Sequence, residues 1–364
     1  MTIVFAGGGT GGHLYPAIAI AEALRRDDAS IAFIGTADRL ETTIVPKAGY
    51  ELDPIAGRPL PRALSFDFLR TIVSNVTGTF QSLRLLANRR PDLVIATGGY
   101  VCFPVAVAAR IRRLLRLSDA PIVLLEPNAK PGLTNRLLAP IVDEVWGPAL
   151  EPDPRFRSKY HGTGVPIRSA LRALPSRSDA LARLRLNPSR KTLVAMGGSQ
   201  GARSINDAVI DLVKSNATPS GWQVLALTGA TDYERVRAVL PTALAYLDEM
   251  ADAYAAADLI LARAGASTLG ELASLGKPAI LVPYPHAAHG HQAENAARFE
   301  AAGGAIVLED RRLQEGALPA LLAQTVEPRR LRDLTAAAAR LGGGDPLPAI
   351  RARIERLLSR RGER

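Results

Sequence analysis

The sequence predicts an α/β protein of two Rossmann-like halves, each a doubly wound parallel sheet, facing a central cleft. Three observations carry the prediction. Short, continuously apolar runs alternate with helical segments. Strands buried on both faces read this way, and their alternation with helices implies βαβ units. The pattern breaks in the turn-rich stretch 151–175 and then restarts. The 364 residues also exceed the roughly 250–300 at which one core stops growing, so two domains are expected.

In the first half, Thr2–Ala6 reads as a strand and Leu14–Arg26 as a helix, with Leu14, Ile18, Ala21 and Leu24 at helical spacing. Ile31–Ile34, Leu93–Ala96, Ile122–Leu125 and Val142–Trp146 read as further strands. The linker is expected close to Gly162–Pro166. Thr192–Met196, Val224–Leu227, Asp258–Leu261 and Ala279–Val282 are the strands expected of the second half, with a helix over Ala202–Val213. In the tail, Leu347, Ile350, Ile354, Leu357 and Leu358 predict an amphipathic helix. The expected division is 1–163, completed by the helix 345–364, and 164–344.

Composition narrows the function classes. Apolar residues make up 47% and charged residues 22%, which excludes a disordered chain. The net charge of +10 favours an anionic partner: nucleic acid, acidic lipid or a phosphorylated substrate. Arginine-rich coding bias would give the same charge. No recognised nucleic-acid-binding motif is present, so nucleic acid is not the expected partner. Cys102 is the only cysteine, which excludes an intrachain disulfide and suits a reducing compartment. The first residues run straight into a strand, so no export signal is expected. The longest uncharged stretch, about 93–109, is broken by Gly98, Gly99 and Pro104. It reads as strand, turn and helix, not as a membrane span.

Glycine loops carry the first functional signal. Strand one ends in Gly7-Gly8-Gly9-Thr10-Gly11-Gly12-His13 and leads into a helix. Glycine permits close backbone approach, and the helix N-terminus suits a phosphate or a developing oxyanion. Alone, this motif would equally suit NAD or FAD. Strand Leu93–Ala96 ends in Thr97-Gly98-Gly99-Tyr100, and Thr192–Met196 ends in Gly197-Gly198-Ser199-Gln200-Gly201-Ala202. Three such junctions in two similar halves are more specific than one, and they belong at the carboxyl ends of the sheets, where ligands bind in open α/β folds.

A further cluster, Arg263–Glu271, follows strand Asp258–Leu261. Its small residues leave room for a base and ribose, and Ser267 and Thr268 are placed to cap the helix or hold phosphate. Glu271, about one turn in, is either a ribose-hydroxyl acceptor or an acid favoured by the helix dipole. His286, His289 and His291 crowd one loop without a carboxylate or cysteine at ligand spacing, so they are expected to line the cleft and not to bind metal. No Asp-x-Asp element occurs, and neither a chelated metal nor another cofactor is expected.

In this order, the motifs resemble those of the MurG-type transferases of peptidoglycan synthesis, which have the GT-B fold. The segments that carry the resemblance are Gly7–His13, Thr97–Val101, Glu126–Asn128 with Pro131–Asn135, Gly164–Arg168, Gly197–Ala202, Arg263–Glu271, and His291-Gln292 with Asn295-Ala296. The likeness runs from Thr2 to about Gly343. It implies inverting transfer of N-acetylglucosamine from UDP-N-acetylglucosamine to the muramoyl 4-hydroxyl of a lipid-linked acceptor (lipid I), giving lipid II at the cytoplasmic face of the cell membrane.

Family roles then fall on matching positions. Thr10, Gly11 and Gly12 would line the donor sugar and acceptor side, and Asn128 would contact N-acetylglucosamine. Arg168 and Ser199 would hold the diphosphate. The Leu247 backbone would read the uracil edge, and Ala266, Ser267 and Thr268 would surround the nucleotide. Glu271 would take the ribose hydroxyls and Gln292 the sugar hydroxyls. Three departures stand out: Pro127 replaces a glutamine, Cys102-Phe103 replaces Ser-Gly, and His291 stands where some members have glutamine. The second is expected to narrow the acceptor side or to remove a hydroxyl contact there.

Without a metal motif, the leaving charge must be met by Arg168, Ser199 and helix N-termini. The base must be a side chain near the donor carbon. His13 is the first candidate, because the positive end of a helix dipole favours neutral imidazole. Glu126, at a strand end, is the second. A lipid-linked acceptor also requires an anionic membrane surface as partner. Leu69, Ile72, Val73, Val76, Phe80 and Leu83 at helical spacing, with Arg84, Arg89, Arg90, Arg110, Arg112, Arg113 and Arg116, fit such a surface, although a core-facing helix reads the same way. The rival functions are another UDP-sugar transferase of this fold and a dinucleotide-dependent oxidoreductase. For the latter, the acidic residue usual at the end of strand two is missing; Gly35-Thr36 stands there.

Overall fold

The apolar runs of the first half become strands covered on both faces. The structure, a computed structural model, describes the chain except residues 10, 26–28, 60–65, 149–152, 157, 199, 200, 288, 289, 343, 363 and 364. It has two compact units, Met1–Arg168 with Asp345–Arg364, and Ser169–Gly344. Among the described residues of the first unit, the strands are β1 (Thr2–Ala6), β2 (Ser30–Gly35), β3 (Glu51–Pro54), β4 (Leu93–Ala96), β5 (Ile122–Leu125), β6 (Glu144–Trp146) and β7 (Tyr160–His161). They form one parallel sheet in the order β3-β2-β1-β4-β5-β6-β7. Its helices are α1 (Gly11–Arg25), α2 (Glu41–Lys47), α3 (Phe66–Arg89), α4 (Cys102–Leu114) and α5 (Leu133–Leu138).

Successive strand residues point to opposite faces, and both faces of this sheet are packed. Ile3, Phe5, Leu93 and Ile95 join Leu14 and Ile18 of α1. Val4, Ala6, Val94 and Ala96 join Val105 and Ala106 of α4. Phe5 stacks on Phe33 of the neighbouring strand, ring centres 5.1 Å apart.

Among its described residues, the second unit repeats the plan with β8 (Lys191–Met196), β9 (Trp222–Leu227), β10 (Leu259–Ala262), β11 (Ala279–Leu281) and β12 (Ala305–Val307), parallel in the order β12-β11-β10-β8-β9. Its helices are α6 (Arg177–Arg183), α7 (Arg203–Lys214), α8 (Tyr233–Arg237), α9 (Met250–Ala256), α10 (Ala266–Leu275), α11 (His291–Ala301), α12 (Asp310–Gln314), α13 (Leu318–Thr325) and α14 (Pro328–Gly342). The tail helix α15 (Leu347–Gly362) returns to the first unit, where Leu347, Ile350, Ile354 and Leu357 are buried against the α1 face. It is held there by Arg353, which bonds Glu144 on β6 and contacts His161.

Element ends differ in instructive ways. Helix α1 starts at Gly11, not at Leu14. Glycines weaken a helix interior, but first-turn N–H groups make no intrahelical bond, so the cost there is smaller. Strands β3, β7 and β12 were not expected. They are short and lie at sheet edges, and β3 and β7 are not buried. The division between the units falls between Arg168 and Ser169.

Strand order decides where a ligand can go. In the first sheet the chain leaves β1 towards β2 and β3, then returns to β4 on the other side. In the second it leaves β8 towards β9, then returns to β10. Each reversal opens a crevice at the carboxyl ends of the two strands. The loops there are Gly7–Gly9 and Thr97–Gly99 in the first unit, and those carrying Gly197, Gly198 and Gly201 and Arg263–Gly265 in the second.

Candidate active site

In the first unit the two switch-point loops interlock around His13. Its Nδ1 lies 3.0 Å from the carbonyl oxygen of Thr97. A carbonyl only accepts, so Nδ1 carries the proton and Nε2 is the basic nitrogen of the neutral ring. Gly98 lies directly against this ring. It has φ +106°, and a Cβ there would sit 2.4 Å from Nδ1. A Cβ on Gly99 would meet the carbonyl oxygen of Gly8 at 2.7 Å. The glycines of Thr97-Gly98-Gly99 are therefore required by contact with the first loop.

Two buried groups hold this arrangement: Glu41, which the sequence did not single out, and Cys102. Glu41, fully buried on α2, accepts the Gly9 N–H at 2.9 Å, the Thr36 N–H at 3.0 Å and the Thr36 hydroxyl at 2.6 Å. One loop donor is thus already taken by a carboxylate beneath the loop. That negative charge disfavours a pyrophosphate at this position, which argues against the dinucleotide reading. Cys102 is the second group. It is fully buried, so its own side chain lines no open surface. Its Sγ accepts the Gly98 N–H at 3.1 Å and lies 3.1 Å from the Ala6 carbonyl oxygen. Burial pushes the thiol up to about 12.

Glu126 sits at the end of β5, almost fully buried. Oε1 accepts from the Asn128 N–H at 2.9 Å and the Asn128 amide at 3.1 Å. Oε2 accepts from the Gly132 N–H at 3.1 Å and the Asn135 amide at 2.8 Å. Burial pushes its carboxyl upward, against the pull of these four donors. A carboxylate has about four lone-pair sites, so Glu126 engages all of them in holding Asn128 and the start of α5 in place. Pro127 beside it is buried. Arg168 belongs to this unit and stacks over Tyr15 of α1, 5.3 Å from the ring centre.

In the second unit, Gly198 and Gly201 have φ +84° and +75°. A Cβ on Gly201 would lie 2.1 Å from the Thr228 carbonyl oxygen, so only glycine fits. This loop enters α7, whose N-cap Ala202 has no side-chain cap. The N-cap of α10 is Gly265, again without a side-chain cap. Ser267 and Thr268 therefore do not cap α10; with Ala266 they form its half-buried first turn. Two uncapped helix starts at one switch point are suited to a diphosphate. Thr10, Ser199 and His289 lie outside the described residues.

Arg263 ties the rims of this sheet together. It donates to Ser204 of α7 at 2.9 Å, to Asp310 of α12 at 2.5 Å, and to the carbonyls of Val282 and Pro283 after β11. Burial alone would raise Asp310, but Ser204 and Arg263 outweigh it and hold the carboxyl below its ordinary range. The Arg263 guanidinium also lies 5.3 Å from the Tyr284 ring centre. Gln292, at the start of α11, accepts the Tyr284 N–H through Oε1 at 2.9 Å, which turns its Nε2 donors away from that backbone. Leu247 is half-buried in the segment leading into α9. Glu271 is 9% exposed and accepts from the Tyr254 hydroxyl at 2.5 Å. Among the described residues no three His, Cys, Asp or Glu side chains are grouped to hold a metal ion.

Helix α3 is amphipathic the wrong way round. Leu69, Ile72, Val73, Val76 and Phe80 are exposed, Phe80 at 68%. The inner face is Thr71, Gly78, Ser82 and Leu86. Polar side chains of the helix hold the segment before it: Gln81 accepts the Ala56 N–H, and Asn75 pairs with both backbone groups of Arg58. A core-facing reading of the apolar stripe is thereby excluded; Leu83 alone of the six turns partly inward, against the core. Arg89 is paired with Glu51 and Asp53, and Arg113 with Asp143. No helix among the described residues is long and apolar enough to cross a membrane.

Comparison with known proteins gives the arrangement a lineage. The glycosyltransferase family 28 N-terminal domain matches residues 3–146, and the C-terminal domain of the same family matches 192–341. The chain is 39% identical to the UDP-N-acetylglucosamine--N-acetylmuramyl-(pentapeptide) pyrophosphoryl-undecaprenol N-acetylglucosamine transferase of Halothermothrix orenii, over 94% of this chain and 95% of that one. It is 38% identical to the transferase of the same name from Desulforudis audaxviator, over 98% of each. The crystal structure of Acinetobacter baumannii MurG superposes with a TM-score of 0.77 at 24% identity, covering 98% of this chain and 99% of that one. The kitacinnamycin glycotransferase follows at 0.71 and 16%, over 98% and 99%. The fold is thus GT-B, and the chain belongs to glycosyltransferase family 28, among its MurG-type N-acetylglucosaminyltransferases.

Proposed function

We propose that this chain transfers N-acetylglucosamine from UDP-N-acetylglucosamine to the muramoyl 4-hydroxyl of lipid I, inverting the anomeric carbon and giving lipid II. The observation that carries this reading is the His13 ring, fixed through Nδ1 at the switch point of the first unit. In the reaction the acceptor O4 attacks C1, its proton passes to Nε2 of His13, and the bond from C1 to the diphosphate oxygen breaks with its electrons leaving on UDP. The Nδ1–H bond to Thr97 strengthens as the ring gains charge.

The leaving charge is met by Arg168, Ser199 and the first turns of α7 and α10. Thr10, Gly11 and Gly12 line the sugar and acceptor side, and Asn128, held by Glu126, contacts the acetamido sugar. The Leu247 backbone reads uracil, Ala266, Ser267 and Thr268 surround the nucleotide, Glu271 takes the ribose, and Gln292 the sugar hydroxyls. The outward apolar stripe of α3 rests on the anionic cytoplasmic surface of the cell membrane, where the acceptor resides.

Product identification tests the reaction. Purified protein with UDP-N-acetylglucosamine and a short-chain lipid I analogue is expected to yield the β-linked disaccharide. Release of UDP without that disaccharide would assign a different acceptor. In a thermal shift assay UDP should raise the melting temperature and NADH should not; the reverse would restore the oxidoreductase reading.

Gly98→Ala probes the His13 setting. The new methyl must displace the imidazole or the loop, because its ideal position is 2.4 Å from Nδ1 at a φ of +106°. Misplacement of a catalytic group by about 1 Å costs on the order of 10²-fold in rate. Turnover is expected to fall by that order, with UDP affinity retained. Wild-type turnover from Gly98→Ala would place the base elsewhere.

A further inference from the structure

The Glu271 carboxylate has a buried neighbour on another helix. Tyr254, on α9, is 1% exposed, and its hydroxyl donates to Oε2 of Glu271 at 2.5 Å. Glu271 keeps a small exposed area while the tyrosine is sealed from solvent. No ligand therefore reaches the phenol directly, and the tyrosine can act on one only through Glu271. The two residues come from helices on either side of β10 in the chain. Helix α9 follows the segment that carries Leu247, and α10 begins with Ala266, Ser267 and Thr268.

The terminal torsion of a glutamate is broad and roughly two-fold, so an unassisted carboxylate turns easily about its last bond. Two vicinal hydroxyls need both oxygens in a fixed plane. The Tyr254 donor on Oε2 restrains that plane, and a carboxylate can accept about four hydrogen bonds in all. We propose that Tyr254 is a specificity-determining positioning residue: it orients Glu271 to accept a ribose diol, so that the site selects ribonucleoside over 2′-deoxyribonucleoside diphosphates. The proposal rests on Glu271 being the ribose acceptor.

Calorimetric titration of the full chain with UDP and with 2′-deoxy-UDP tests both levels. The wild type is expected to prefer UDP. Tyr254→Phe should weaken UDP about tenfold and leave 2′-deoxy-UDP nearly unchanged, so the preference shrinks. Glu271→Gln should remove the preference, and the double variant should match Glu271→Gln alone, because the tyrosine acts through the glutamate. The 2′-deoxy-UDP affinity doubles as a check that the site has folded. If Tyr254→Phe weakens both nucleotides equally, the tyrosine is only structural and the proposal is overturned. An unchanged preference in Tyr254→Phe, with loss in Glu271→Gln, overturns the tyrosine role and keeps the ribose role. An unchanged preference in Glu271→Gln overturns both.

Discussion

His13→Ala is expected to lower turnover on the order of 10²–10⁴-fold, the usual worth of a positioned general base, while UDP-N-acetylglucosamine affinity stays close to wild type. The Thr97 carbonyl fixes the imidazole tautomer and leaves Nε2 as the basic nitrogen. Glu126, the rival base, has its oxygens occupied by four N–H donors. A second variant separates chemistry from scaffolding. His13→Asn places an amide N–H close to where Nδ1–H was and can keep the Thr97 bond, but it supplies no base at the Nε2 position. If proton transfer is the role, asparagine should be about as poor as alanine in steady-state turnover of a soluble acceptor analogue. If anchoring the loop is the role, asparagine should recover most of the activity. A loss of less than about tenfold in both variants would remove His13 from the mechanism.

Legibility from sequence followed how local the signal was. Leu93–Ala96 and Ile122–Leu125 were readable because a strand buried on both faces must be apolar throughout, and both are. The strand Glu51–Pro54 was not, since an edge strand of four residues ending in proline carries no such run. The glycine loops could be placed because glycine, strand and helix follow one another directly. Their supports could not. Glu41 reaches Gly9 across 32 residues and Tyr254 reaches Glu271 across 17, through contacts that only the folded sheet creates. Glu126 was legible as a strand-end carboxylate, but its role turned on Asn135, whose place on α5 decides that all four acceptor sites are filled.

Val73→Glu combined with Phe80→Glu is expected to weaken partitioning onto anionic vesicles by about 10²-fold or more, while turnover of a short-chain soluble acceptor is unchanged. Both side chains are exposed, at 57% and 68%, so the substitutions remove no core contact and should change stability by no more than about 0.5 kcal/mol. Each large apolar side chain that leaves water contributes roughly 1.5–3 kcal/mol, so losing two removes at least about 3 kcal/mol, and about 1.4 kcal/mol is a factor of ten. Basic residues add a separate attraction of about 1 kcal/mol each near an anionic surface. That attraction is smaller here than the number of arginines implies, because Arg89 and Arg113 are already paired with Glu51, Asp53 and Asp143. Salt and substitution therefore report on different forces. Moderate salt should weaken vesicle binding of the native chain only in part, and the two glutamates should abolish most of what remains. If high salt alone released the protein and the glutamates had no effect, the attraction would be purely electrostatic. The outward apolar face of α3 would then need another partner to explain why its polar side is the one turned inward.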